Sequence, residues 1–203
     1  MLEASLLSCV LSELGLPRLA STSSEVTNVN VQSTVRLSVW IGCLSCYNSG
    51  RLVGEWCEAE DAGYVTPDDL RGTPTHHEEL WCFDHEGFPA GTSEISPRTA
   101  SLWGELYGEV GREQWGALKA WVEDGACVID SDGLPDRSSF EERYRGCWSS
   151  FRDYLNEEIE LLQQDWPDEA VRYFDDEAYE RDAMYDCTVL DAPGGAVYVF
   201  VNI

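Results

Sequence analysis

Carboxylates dominate the chemistry that the C-terminal third of the sequence offers. Between Asp153 and Asp191 there are 14 acidic residues and only two basic ones. Asp153, Glu157 and Glu160 are four and then three residues apart, which places them in one row on a helix with neighbouring Cβ atoms about 5–6 Å apart. Because like charges at that spacing mildly destabilise a helix, the row has no role in folding. We therefore predict that these carboxylates bind a partner.

The whole sequence has the same charge bias. Its 203 residues include 38 Asp and Glu but only 13 Lys and Arg, for a net charge of −25. A magnitude of about 2–8 keeps a small domain soluble. This charge excludes nucleic-acid binding, which needs a basic surface that displaces counterions from phosphate. It also excludes binding to an anionic membrane surface.

The partners that this charge favours are basic. They include a polyamine, metal cations, a histone-like protein and the DNA-binding groove of an enzyme. B-DNA carries one phosphate charge per about 1.7 Å of its axis, and several acidic helices side by side approach that density. A single acidic helix is better explained as a solvated face or as adaptation to high salt. The excess over the whole chain favours a protein that imitates DNA.

The predicted partner-binding residues are called the acidic surface below. They are Glu141, Glu142, Asp153, Glu157, Glu158, Glu160, Asp165, Asp168, Glu169, Asp175, Asp176, Glu177, Glu180, Asp182 and Asp186.

A metal site is the second candidate. Cys43 and Cys46 form a CxxC motif, and three histidines follow at positions 76, 77 and 85. Zinc takes thiolate and imidazole ligands in tetrahedral sets. However, the sequence has no second CxxC or HxxxH motif. We predict no metal and no cofactor, and keep a small zinc-binding interaction module that uses Cys43 and Cys46 as the alternative.

Catalysis has little support in the sequence. It contains no nucleophile elbow, phosphate-binding loop or nucleotide fingerprint. A nuclease that uses carboxylate-bound metal would need a basic surface to hold its substrate, and this chain is acidic. We therefore predict that the protein is not an enzyme and has no catalytic residue. No apolar stretch approaches the roughly 18–20 residues of a membrane span. Residues 1–17 do not resemble a secretory signal. The eight cysteines are therefore expected to be reduced in the cytoplasm.

Local patterns predict the elements that position these residues. Strands are expected at 35–41, 51–58 and 78–84, with a turn at Asn48, Ser49 and Gly50 between the first two. Thr66 and Ser96, each followed by proline, have the pattern of helix starts.

The second half of the sequence is predicted to be mainly helical. Residues 100–122 have apolar residues at helical spacing, interrupted near Gly111 into two helices. A capping box at Ser139 and Glu142 predicts one long helix, because aromatic and aliphatic residues recur every three or four positions from Phe140 to Trp166. Further helices are expected to start near Pro167 and at Asp175, before a final hairpin of residues 187–191 and 196–201.

Three blocks of sequence resemble the ArdA antirestriction proteins. They span residues 47–56, 78–89 and 172–182 and occur in the order of that family. The residues that carry the resemblance are Tyr47, Asn48, Gly50, Gly54, Trp56, Asp84, Glu86, Gly87, Phe88, Pro89, Tyr173 and Phe174. We expect Gly50 and Gly54 to serve a turn and close packing, and Trp56, Phe88 and Pro89 to belong to the core. The acidic stretch at 140–162 lies where that family has its acidic antirestriction segment.

The resemblance implies an elongated α+β protein of three small domains. Residues 37–98 would form an antiparallel β-sheet with a helix, 99–138 a small helical bundle, and 139–203 acidic helices with a β-hairpin. Residues 1–36 have no counterpart in the family and are predicted to be a disordered or over-extended arm.

The resemblance also implies a function. ArdA proteins are homodimers that imitate bent duplex DNA and bind the methyltransferase core of Type I restriction–modification enzymes. They block restriction and often modification, travel on plasmids, transposons and phages, and act in the cytoplasm of the bacterial host. An alternative is a DNA mimic aimed at another DNA-binding protein, such as a nucleoid protein or a repressor. The CxxC motif lies where the family is not expected to have metal ligands.

Overall fold

A computed structural model describes residues 36–202 of the protein. It is a mixed α+β structure with two small antiparallel sheets and several helices. The predicted N-terminal arm, apart from Arg36, lies outside the described residues.

The first sheet consists of β1 (Ser38–Cys43), β2 (Gly54–Glu58) and β3 (Leu80–Glu86), with β1 in the centre. Both pairings are antiparallel, as the hairpin pattern predicted for the first two strands. Val39 and Ile41 are fully buried on the inner face. This alternation is typical of a sheet with one face against the core.

Short helical segments connect these strands. Helix α1 (Leu44–Asn48) follows β1 directly, where only a turn was predicted. A 3₁₀ segment (Ala59–Tyr64) follows β2 and leads to α2 (Pro67–Arg71). The predicted start of α2 is confirmed, because Thr66 and Asp69 form a reciprocal capping box.

Two helices follow the first sheet, as predicted. Helix α3 (Pro97–Val110) starts after the Ser96 cap, and α4 (Arg112–Asp124) ends at a left-handed Gly125. Gly111 separates them with φ of 82° and ψ of 154°, a conformation outside the helical region that glycine adopts easily.

The predicted long helix from Ser139 to Trp166 is wrong. The chain instead forms α5 (Arg137–Arg143), strand β4 (Tyr144–Trp148) and α6 (Phe151–Gln163). Aromatic residues four positions apart share one face of a helix, but they also share one face of a strand, so their spacing does not distinguish the two. Pairing of Tyr144 with Phe200, far away in sequence, stabilises the strand.

The cap of α5 also differs from the prediction. Asp136, not Ser139, is the cap of this helix. Its carboxylate accepts a hydrogen bond of 2.9 Å from the backbone N–H of Ser139. The Ser139 hydroxyl donates to the same carboxylate at 2.8 Å. These hydrogen bonds lower the pKa of Asp136 below its ordinary value of 3.8.

The second sheet contains the predicted C-terminal hairpin. Its strands β5 (Cys187–Asp191) and β6 (Val197–Val201) are antiparallel, and β6 lies in the centre between β4 and β5. Before this hairpin come α7 (Asp168–Arg172) and α8 (Asp176–Asp186), close to their predicted starts.

Strand β6 contributes to two hydrophobic clusters. Phe200 packs with Trp121 of α4 and Phe140 of α5 in the larger cluster, which extends through β1 and α3. Val199, on the opposite face, packs with Tyr154 and Leu155 of α6 in the smaller cluster. The larger cluster includes residues from each of the three predicted domains, and the division into three stays a prediction.

Replacing Asp136 with alanine is expected to destabilise the protein at neutral pH, because α5 loses its cap. Since the folded state lowers the pKa of Asp136, its stabilisation is complete above pH 3.8 and is lost as the pH falls through the lower folded value. The difference in urea midpoint between the wild type and Asp136→Ala should therefore shrink on acidification.

Asp132→Ala is the control for this prediction. It removes an exposed carboxylate from the same loop, which caps no helix. A midpoint shift equal to that of Asp136→Ala would show that the loss of charge, not the cap, explains the effect.

Candidate partner-binding surface

The acidic surface lies almost entirely in solvent. Of its 15 carboxylates, 13 are exposed, and only Glu158 and Glu180 are half-buried. They belong to α5, α6, α7 and α8 and to the turns between these helices. The residues that sequence patterns selected are therefore accessible to a partner.

Helix α6 separates its carboxylates from its apolar residues. The Ser150 hydroxyl caps the helix by accepting from the backbone N–H of Asp153 at 3.1 Å. Tyr154 and Leu155 are buried against β6, whereas Glu157 and Glu160 are exposed. The buried residues therefore determine which way the row of carboxylates points.

Aromatic rings position the segment between α6 and α8. The ring of Phe174 lies 5.5 Å from that of Trp166 and 5.5 Å from that of Tyr179, measured between centroids. Tyr179 packs in turn against the smaller hydrophobic cluster. Asp175 caps α8 by accepting from the backbone N–H of Ala178 at 2.9 Å, so this carboxylate also has a structural role.

Arginines neutralise part of the acidic surface. Arg152 of α6 forms ion pairs with Glu180 and, at 3.9 Å, with Asp176, and so connects α6 to α8. Arg181 pairs with its neighbour Asp182 at 3.0 Å. Arg137 pairs with Glu141 at 2.7 Å and with Glu109 of α3 at 3.0 Å.

The other members of the acidic surface form no ion pair with any residue that the structure describes. Within residues 36–202, no ion pair involves the following members of the acidic surface: Glu142, Asp153, Glu157, Glu158, Glu160, Asp165, Asp168, Glu169, Asp175, Glu177 and Asp186.

The negative charge affects neighbouring side chains in a cleft between α6, α8 and β6. This cleft has a volume of about 270 Å³, and its lining includes Tyr154, Glu158 and Asp186. Burial, followed by the charge of Glu158, raises the pKa of Tyr154 to about 12. Burial, followed by Asp186 and Glu158, also raises the pKa of the Cys187 thiol. Both groups are therefore neutral at pH 7.

The glycines of the first family block have the expected roles. Gly50 lies in a turn with φ of 75°, a conformation that favours glycine. A Cβ atom on Gly54 would lie only 2.4 Å from the carbonyl oxygen of Ile41, so close packing of β2 on β1 requires a residue without a side chain.

Phe88 and Pro89 are buried, as predicted, but the assignment of Trp56 to the core is wrong. Trp56 is 47% exposed. It pairs with Trp40 on β1, whose side chain points away from the inner face because it alternates with Val39.

The remaining motif residues lie mainly on the surface. Asn48, Asp84 and Glu86 are exposed, and Tyr173 is 78% exposed. Half-exposed Tyr47 packs on Phe83, with ring centroids 4.8 Å apart. Gly87 is half-buried and has a φ of 84°. Its carbonyl oxygen accepts a hydrogen bond of 2.9 Å from the indole Nε1 of Trp115, a core residue of α4.

The structure also brings possible metal ligands together. Cys43 and Cys46 lie beside His77, and the ligand atoms of all three are within 4.8 Å of one another. The sequence indicated the two cysteines, but the histidine depends on the path of the loop before β3. His85 is turned elsewhere, with its Nε2 atom 2.8 Å from the carbonyl oxygen of Thr92.

The family model described as "Antirestriction protein (ArdA)" matches residues 39–198, which is most of the chain. The chain belongs to the ArdA family of antirestriction proteins. Membership implies an antirestriction function and interaction with restriction–modification enzymes. No individually curated protein matches the sequence.

The family match includes every member of the acidic surface and all three motif blocks. The resemblance predicted from those blocks is thereby confirmed. Among residues 36–202, no helix has the length and apolar character needed to cross a membrane.

Truncating Leu155 to alanine is expected to destabilise the protein by about 2–5 kcal/mol, because this side chain is 2% exposed and joins α6 to β6. Leu161→Ala is the matched control on the same helix, where the side chain is 67% exposed. Urea denaturation measures both changes. Equal losses would contradict the orientation of α6 that exposes its carboxylates.

Proposed function

We propose that this ArdA family member is a DNA mimic that occupies the DNA-binding groove of Type I restriction–modification enzymes. It would inhibit restriction and also modification. The observation that carries the proposal is the large set of exposed carboxylates on α5 to α8 that have no ion-pair partner within residues 36–202. A basic groove that evolved to bind phosphates would attract this surface.

The mechanism is competition, without a chemical step. Phosphate contacts give DNA-binding proteins much of their affinity and carry no sequence information directly. Carboxylates on neighbouring helices offer the same sign of charge, from side chains whose Cβ atoms are about 5–6 Å apart within a row. Many carboxylates share the binding free energy, so no single one is essential and none is catalytic.

The proposal extends to the assembly and its setting. A homodimer of elongated, three-domain protomers would present two acidic surfaces and span a longer stretch of a DNA-binding groove than one chain. The target is the methyltransferase core, which binds the DNA sequence. The protein would act in the cytoplasm of a bacterial host that received the gene on a mobile element.

Phage plating tests the proposal. Unmodified phage should plate poorly on a host with a Type I system, and expression of this protein should restore plating. A host without the system should show no change. Equal effects in both hosts would exclude inhibition of restriction as the cause.

Purified components separate this target from the alternative ones. The protein should bind the isolated methyltransferase core and compete with its DNA substrate. Binding to a nucleoid protein or a repressor, with none to the methyltransferase, would retain DNA mimicry but overturn the proposed target.

Neutralising five carboxylates together should strongly reduce inhibition. The set consists of exposed members without ion pairs or capping roles: Glu142→Gln, Glu157→Gln, Glu160→Gln, Asp165→Asn and Asp186→Asn. Because one exposed charge pair contributes about 0.2–1 kcal/mol, the loss of five should weaken binding to the methyltransferase core roughly fivefold or more. Any one of the five changes alone should have little effect.

A second set of five changes is the control for this variant. It neutralises exposed acids outside the acidic surface: Glu55→Gln, Glu94→Gln, Glu105→Gln, Asp124→Asn and Asp132→Asn. The two variants have the same net charge. Equal weakening would attribute binding to total charge, and unchanged binding of the first variant would contradict DNA mimicry by this surface.

Salt should weaken the complex. Charges at an exposed interface are screened over about 10 Å at 0.1 M ionic strength, and less far as salt increases. We expect the dissociation constant to rise roughly tenfold or more between 50 and 200 mM salt, measured by calorimetry or fluorescence anisotropy. A constant affinity over this range would indicate a hydrophobic interface instead.

A further inference from the structure

A cluster of sulfur and nitrogen atoms lies at one end of the first sheet. Cys43 ends β1, Cys46 lies in α1, and His77 belongs to the loop that leads into β3. The Nδ1 atom of His77 is 3.1 Å from Sγ of Cys43 and 3.5 Å from Sγ of Cys46. Two separate segments of the chain therefore bring three ligand atoms to one point.

Both thiols of the CxxC motif, at the end of β1 and in α1, are protected from solvent. Cys43 is 1% and Cys46 0% exposed, and both are free thiols. His77 is half-buried. A backbone hydrogen bond joins the two segments, because the amide of Leu44 donates to the carbonyl oxygen of Glu79 at 3.1 Å. The ligand atoms are thus pre-positioned by the fold.

The distances suit a tetrahedral metal. With Zn–S bonds of about 2.3 Å and Zn–N bonds of about 2.0–2.1 Å, two ligand atoms on one zinc ion lie about 3.5–3.8 Å apart. The observed separations of 3.1 and 3.5 Å between His77 and the two sulfurs need to widen by only a few tenths of an ångström. A small movement of the half-buried His77 side chain would supply that widening.

Arg71 supplies a second, independent observation. One guanidinium nitrogen, Nη1, donates to Sγ of Cys46 at 3.3 Å. Its Nε atom is buried and has no partner within residues 36–202. A permanently charged donor on a sulfur atom fits a thiolate better than a neutral thiol, which is a weak acceptor. Such donors to metal-bound ligands are typical of the shell around a metal site.

The charges also balance. Two thiolates and one neutral imidazole bring a charge of −2, which a divalent cation cancels. The metal and its three protein ligands are then neutral together, so they do not repel the guanidinium of Arg71. Thiolate and imidazole ligands select zinc over magnesium or calcium, which prefer the oxygen ligands of the exposed carboxylates.

We propose that Cys43, Cys46 and His77 bind one zinc ion, with a water molecule as the fourth ligand. On binding, each thiol releases its proton to solvent as its sulfur–zinc bond forms, and no electron is transferred. The ion would join the end of β1 to the loop before β3. This site goes beyond the proposed function and does not depend on it.

The test uses the purified, reduced full-length chain. It is incubated with zinc, then washed in excess magnesium to remove metal from the exposed carboxylates, and its metal content is measured. We expect one zinc ion per chain. Cobalt(II) in place of zinc should produce a sulfur-to-cobalt charge-transfer absorption, which carboxylate ligands do not give.

Variants identify the ligands. Cys43→Ser, Cys46→Ser and His77→Ala should each lose the stoichiometric zinc and the charge-transfer absorption. His76→Ala and Cys147→Ser are the matched controls, because they remove an exposed histidine and an exposed cysteine and should retain both signals. Chelation should lower the melting temperature of the wild type and of both controls.

The wild type alone can overturn the proposal, even if the ligand variants fail to fold. Zinc that is lost completely in the magnesium wash, or cobalt that binds without a sulfur charge-transfer absorption, would exclude the site. A Cys43–Cys46 disulfide that persists in reductant would also exclude it. Antirestriction activity is assayed separately, so its presence or absence does not decide this question.

Discussion

The burial of β6 on both of its faces is the constraint on which the rest of the structure depends. Phe200 packs towards α4 and α5, and Val199 packs towards α6 on the other side. A central strand with two covered faces must be apolar on both, and Val197–Val201 meets this requirement with consecutive valine and aromatic residues. The acidic helices are attached to the fold mainly by hydrophobic contacts with this strand, because their exposed carboxylates repel one another.

The separation between core and charge explains how the chain tolerates its net charge of −25. Self-repulsion destabilises a compact state. Here the aromatic residues carry the cohesion: Trp103, Trp115 and Trp121 are at most 4% exposed, and they join α3 and α4 to both sheets through one cluster. Among the described residues, ion pairs are few compared with carboxylates. Several of these pairs, such as Arg152 with Glu180, join two helices and so stabilise the fold.

Local signals predicted the elements that local interactions determine. Proline after Thr66 or Ser96, and Asp175 before α8, led to the correct helix starts because capping requires only neighbouring residues. Strand β4 was missed because it depends on β6, about 50 residues later. His77 was noted with two other histidines but not selected from them, because no local pattern indicates where a loop passes. Exposure of the carboxylates was predictable, since burying an unpaired charge costs too much free energy. No local pattern in the sequence indicates a binding partner.

Strand β4 also determines which changes in sequence length the acidic helices tolerate. It divides what would be one continuous helix into α5 and α6, each with its own cap at Asp136 or Ser150. An insertion in a single long helix would rotate every later side chain by about 100° per residue. With the helix divided, a change in length within α5 is not transmitted to α6 as a helical rotation, because α6 begins at its own cap, Ser150. The exposed residues of α6 can therefore change while the contacts of Tyr154 and Leu155 with β6 stay the same.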